Sequence, residues 1–170
     1  MPVSVIENAS FGNSGIVTAN GIKFPATQVA SADANTLDDY EEGTWTPSFV
    51  VTGGSATYTG QKGTYVKIGK QVTAVFFITV NVSSTLSTNG VMGLPFTSAP
   101  DADTQYSGVS FSSYETGAFS GQCNIVGLVI PNNTTFQIRR TASATAAPAL
   151  NNITITNGTV LAGSVTYFAA

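Results

Sequence analysis

The sequence predicts an all-β fold, an antiparallel sandwich or jelly roll. Three observations predict it: runs in which apolar and polar residues alternate with period two, turn residues between nearly all of those runs, and almost nothing with a helical repeat. The clearest run is Gln71 to Val82. It sets Val72, Ala74, Phe76, Ile78, Val80 and Val82 on one face and Gln71, Thr73, Val75, Phe77, Thr79 and Asn81 on the other. Val75 and Phe77 break the polar face, so the centre of this strand is expected to be covered on both sides, either by a second layer or by another subunit.

The remaining elements follow in chain order. Residues 1–20 form a Gly/Asn/Ser-rich leader with brief alternation in Pro2-Val-Ser-Val-Ile and Gly15-Ile-Val-Thr-Ala. Short strands with nothing to pack on are marginal in water, so this arm is either disordered or ordered by other chains. Five of the nine acidic residues then crowd between Asp33 and Glu42. Here lies the one possible helix, about two turns long, with Asn35 or Thr36 as N-cap, Asp38 and Asp39 near its positive end, and Gly43 as its stop. So short a helix is unstable alone, and Leu37 and Tyr40 must pack against the body or a neighbouring subunit.

Strands are expected at Trp45 to Val51, Ala56 to Thr59, Thr64 to Ile68, Gln71 to Val82, Val91 to Leu94, Tyr106 to Ser112, Ser120 to Ile130, Thr134 to Arg139, Ile153 to Ile155 and Thr159 to Phe168. Turn signals separate them at Gly53-Gly54, Gly60 and Gly63, Gly69, Asn89-Gly90, Pro131-Asn132-Asn133 and Asn157-Gly158. The division is therefore an arm with an acidic joint over residues 1–43 and a β head over residues 44–170.

Composition bounds the function. The chain has 170 residues, 42% apolar and only 9% charged, against about 25% charged in an ordinary soluble protein. Its surface must therefore be neutral and rich in Thr, Ser and Asn. Residues 1–43 carry one Lys and six acids, and residues 44–170 carry five basic and three acidic residues. Neither part has the basic density that neutralising phosphates requires, so no nucleic acid partner is expected. Met1 is followed by Pro2, Val3 and Ser4, without the basic and apolar regions of a secretory signal, so synthesis in a cytoplasm is expected. No apolar stretch approaches the roughly 18 residues of a spanning helix, and membrane insertion is not expected. Cys123 is the single cysteine, which excludes an intrachain disulfide, and it reads as a small buried hydrophobe.

The chain contains no His. That removes the commonest general base, the usual nucleophilic triads and most zinc sites. Outside the acidic segment the carboxylates are Asp101, Asp103 and Glu115, and the first two read as a solvated loop. Asp38, Asp39, Glu41 and Glu42 lack the spacing of a calcium loop and read as a solvated acidic turn or helix, although three copies around an axis would gather them into a ring able to recruit a cation. Neither catalysis, nor a cofactor, nor a metal centre is expected of the single chain. Trp45 reads as the plug at the base of the core. Tyr58, Tyr65, Tyr106 and Tyr114, with Ser, Asn and Gly neighbours, have the composition of adaptable contact surfaces, best developed from Tyr106 to Gly117. Tyrosines on strand edges also serve structure, and both readings stand.

The stretch Asn35-Thr-Leu-Asp-Asp-Tyr-Glu-Glu-Gly-Thr-Trp-Thr-Pro, with Gly21-Ile-Lys-Phe-Pro before it, resembles a segment of tail fibre and related virion appendage proteins of tailed bacteriophages. Gly63-Thr-Tyr-Val-Lys-Ile-Gly-Lys-Gln-Val and Gly93-Leu-Pro-Phe-Thr-Ser look like strand and hairpin ends of their C-terminal β-sandwich heads. The resemblance implies a homotrimeric, non-enzymatic virion protein, made in the host cytoplasm, with a head similar in outline to the C1q and tumour-necrosis-factor shape. It implies an arm, residues 1–43, that docks on baseplate, tail or capsid proteins, and a short tail fibre that contributes to host attachment. The alternative is a capsid decoration or head-fibre protein held by the same arm. On this reading Leu37, Tyr40, Trp45, Val75 and Phe77 are the oligomer and joint contacts. Tyr58, Tyr106 and Tyr114 are the candidate contacts to a host glycan or protein.

Overall fold

The computed structural model describes residues 16–18, 21–29, 31–33, 35–84, 86–100, 107–115, 124–141 and 153–170. Among them there is no helix, and twelve strands account for the regular structure. A small hairpin pairs β1 (Ile16–Thr18) with β2 (Gly21–Lys23). The other ten form one antiparallel sheet: β3 (Tyr40–Trp45), β4 (Ser48–Thr52), β5 (Thr57–Ile68), β6 (Gln71–Asn81), β7 (Leu86–Met92), β8 (Gly108–Glu115), β9 (Asn124–Val129), β10 (Thr135–Thr141), β11 (Ile153–Ile155) and β12 (Val160–Phe168). From one end the order is β3, β5, β6, β12, β8, β9, β10, β7. β4 lies along the far edge of β7, so β10 and β11 share its other edge end to end.

This sheet is curled. β3 and β4 end its two extremes, yet only Thr46 and Pro47 join them, and a link that short spans about 10 Å. The two extremes therefore meet. Trp45 pairs with Gly63, which leaves β5 from Thr57 to Lys62 without a β3 partner, and there β5 turns to β4. The Tyr58 hydroxyl accepts the Phe49 amide at 2.9 Å, and the Gln61 side-chain amide donates to the Pro47 carbonyl at 2.8 Å. Side chains, rather than a backbone ladder, close this part of the wall.

Period-two alternation places the core inside the curl. On β6 every second residue from Val72 to Val80 is buried, and on β12 Leu161, Val165 and Tyr167 are. Phe76 stands at the centre, edge-on to Trp45 at 6.4 Å and to Phe111 at 6.4 Å, and tilted against Phe136 at 5.3 Å. Such aromatic pairs contribute about 0.5–1.5 kcal/mol beyond the area they bury. Tyr167 is buried with them because its hydroxyl is satisfied: it donates to the Phe96 carbonyl and accepts the Phe96 amide. Burial pushes its pKa up to about 12.

Three expectations are corrected. The acidic segment forms no helix: the Asp33 carboxylate takes the Asn35 amide and the Ser31 hydroxyl takes the Asp33 amide. Local side-chain bonds thus hold a turn where a helix would start, and Tyr40–Trp45 pairs with β5 instead. Gly60 and Gly63 are not hairpin glycines, since β5 runs through both as one strand. They are recesses. A Cβ on Gly60 would come within 2.9 Å of the Phe77 ring, and one on Gly63 would meet the Trp45 indole. Asn89-Gly90 likewise lies inside β7 rather than between strands.

The layout also has two poles. At one, the Asp39 carbonyl accepts the Gly69 amide and the Lys70 carbonyl accepts the Ala169 amide, so the entry to β3 and the exit from β12 lie beside the β5–β6 turn. At the other pole lie the turn at Gly53-Gly54 and the turn at Gly158, whose amide donates to the Val80 carbonyl.

Candidate functional site

The acidic run does not face water as a set. Each of its four carboxylates accepts a hydrogen bond: Asp38 from the Ser31 amide at 2.9 Å, Asp39 from the Lys67 ammonium, Glu41 from the Tyr65 hydroxyl, and Glu42 from the Tyr40 hydroxyl at 3.1 Å. Asp39 and Lys67 are both buried, a correction to the expectation of a solvated turn. The Lys67 ammonium lies 5.3 Å from the centre of the Phe96 ring, and Phe96 stands edge-on to Tyr65 at 5.2 Å. Together these groups clasp β3 onto the sheet.

The electrostatics follow from these contacts. The Ser31 amide holds the Asp38 carboxyl below its usual value. Burial lowers the Lys67 ammonium, and the Asp38 carboxylate opposes that. Glu41 pushes the Tyr65 hydroxyl up to about 12, and Glu42 raises that of Tyr40.

A second feature lies on the outside of the same strands. Tyr40, Val66, Ile68, Val75, Phe77 and Phe168 are all exposed, Val75 at 51% and Ile68 at 52%. Register makes them one surface: Ile68 lies between Tyr40 and Gln71, and Gln71 pairs onward with Phe168. A shallow groove of about 510 Å³ runs across it between Glu42, Thr44, Thr64, Val66 and Val75, and a smaller one of about 130 Å³ adjoins Lys62 and Phe77.

The expected contact residues divide accordingly. Trp45 is buried at 8% in the chain's own core, its indole N–H donating to the Val75 carbonyl at 3.2 Å. Leu37, 53% exposed, precedes the clasp, while Tyr40, Val75 and Phe77 belong to the outer surface. Tyr58 is half-buried in the seam to β4, and burial raises its pKa. Tyr114 sits on β8 opposite Leu161. Tyr106 lies outside the described residues, as do Cys123, Asp101 and Asp103. Most of Tyr106 to Gly117 is strand rather than loop, because β8 pairs with both β12 and β9.

Lys67 was missed as a partner, although its signal is present. In Gly63-Thr-Tyr-Val-Lys-Ile the alternate residues Gly63, Tyr65 and Lys67 share one face, and that face proves to be the inner one. Among the described residues no group of three or more His, Cys, Asp or Glu is placed to hold a metal ion. The chain matches no family model, no curated protein and no solved structure.

Proposed function

We propose that this chain is a non-enzymatic structural protein of a tailed-bacteriophage virion, a short trimeric tail fibre contributing to host-surface attachment. Its head is a jelly roll of C1q and tumour-necrosis-factor outline, and residues 1–43 dock it on other virion proteins. One observation carries the reading: the Asn35 to Pro47 segment that resembles phage appendage proteins is a structural device, with Asp39 and Glu41 tying the edge strand to Lys67 and Tyr65 of β5 while Asp38 and Glu42 accept local hydrogen bonds. The acidic string thereby has a non-catalytic use. The neutral, hydroxyl-rich and partly apolar outer surface supports the same reading, as it suits contacts among copies better than contacts with charged polymers.

Locating the protein on the particle tests it. Labelled antibody fragments imaged by electron microscopy are expected to mark a few sites around the tail. Labelling across the capsid in hundreds of copies would replace the fibre by a decoration protein. For attachment, particles carrying Tyr106→Ala with Tyr114→Ala are expected to adsorb more slowly to host cells, and unchanged adsorption would remove the receptor role. Substitution is the proper probe here, since deleting Tyr106 to Gly117 would remove an internal strand.

A further inference from the structure

We infer that the outer face of β3, β5, β6 and β12 is the contact surface between copies of this chain. The inference deepens the trimer reading, resting on it for the number of copies but not for the face.

β5 carries the argument. From Gly63 to Ile68 it turns Tyr65 and Lys67 inward and Thr64, Val66 and Ile68 outward. A one-residue slip would reverse this, yet the two-residue turn at Gly69-Lys70 and the eleven paired positions with β6 fix it. The fold thus buries an ion pair, whose desolvation is costly, while leaving Val66 and Ile68 in water. β6 does the same with Val75 and Phe77, 51% and 41% exposed. An antiparallel sheet with one solvated face should be polar there. The arrangement makes sense when this face is itself covered.

Size and charge point to a second copy as the cover. With strands about 4.8 Å apart and same-face residues about 6.8 Å apart, four strands by four rows project roughly 500 Å². The accessible area of so corrugated a block is larger and approaches the 800 Å² or so that each partner gives to a standard interface. Among its outward positions the charges are Glu42 and Lys62, one of each sign. A face that is neutral and mixed from threonine and apolar side chains complements itself. It offers nothing to a polyanion.

The test is the mass of the full chain in solution by light scattering at tens of micromolar, for the natural sequence and for Val75→Asp with Phe77→Asp. The expected result is a natural assembly that falls to single chains in the variant with its circular dichroism unchanged, while Val126→Asp, on an exposed position of β9, stays assembled. Should the aspartates unfold the chain, Val75→Thr with Phe77→Thr keeps strand propensity and is expected to raise the dissociation midpoint about ten-fold or more. An assembly that survives these variants overturns the face and leaves the trimer standing. A natural chain that is monomeric overturns both. Natural chains that float with phosphatidylcholine vesicles, when the variant does not, would assign the face to lipid instead and overturn the copy-to-copy contact.

Discussion

The two halves of β5 are held in opposite ways. From Gly63 to Ile68 the strand is zipped to β3 through six register pairs and backed by the Asp39–Lys67 ion pair and the Tyr65–Glu41 bond. From Thr57 to Lys62 the same strand is stitched to β4 by the phenol of Tyr58 and to the link before it, at Pro47, by the amide of Gln61. One closure is a ladder reinforced by buried charge, and the other is two side-chain stitches. The difference shows that a curled sheet can meet itself without continuing its backbone pairing, provided that long polar side chains reach across the seam.

The largest effect should come from the zipped half. Lys67→Met leaves the buried Asp39 carboxylate unpaired, and is expected to cost about 3–5 kcal/mol in chemical denaturation. Adding Asp39→Leu should restore most of that, because an apolar pair of similar volume replaces a buried ion pair at little cost. If the double variant is no better than the single one, the pair is not what holds β3.

Alkaline titration is next. The folded pKa of Tyr65, about 12, lies above the ordinary value of 10.0. Its contribution is therefore complete below about pH 10 and is lost as the pH rises through about 12. Glu41→Gln removes the carboxylate that raises it. Tyrosinate absorbance of that variant should then show one more tyrosine ionising near its ordinary value, with the Tyr58 and Tyr167 transitions unmoved.

The smallest effect should come from the seam. Tyr58→Phe removes the acceptor for the Phe49 amide and is expected to cost about 1 kcal/mol. Hydrogen exchange should then quicken at Phe49 and not at the β3 amides. Quickening in both places would mean that the halves open together and the comparison fails.

These regions also differ in how far they could be read in advance. β6 was legible because an apolar residue recurs at every second position from Val72 to Val80, and Ile153 and Ile155 of β11 follow the same spacing. β5 was split at Gly60 and Gly63, since a glycine in a strand and a glycine in a turn look alike until the ring that fills the recess is known. Phe77 and Trp45 come from other strands. The acids were misread because Asp38-Asp-Tyr-Glu-Glu has turn and cap chemistry locally, while Lys67, 28 positions after Asp39, decides the outcome. Val75 and Phe77 were legible as an anomaly of pattern. Ile68 and Val66 were not, because which face of β5 lies inward depends on its pairing with β6.

The polar layout has a mechanical meaning. Tension applied to the residues before Tyr40 enters β3 at the pole where Asp39 meets Gly69, and runs along the strand rather than across it. Six register pairs then share the load in shear, with the buried Lys67 acting as a cleat at the point of entry. A pull directed sideways at Tyr40 would open the same pairs one after another. The protein should resist a rope-like load far better than a peeling one.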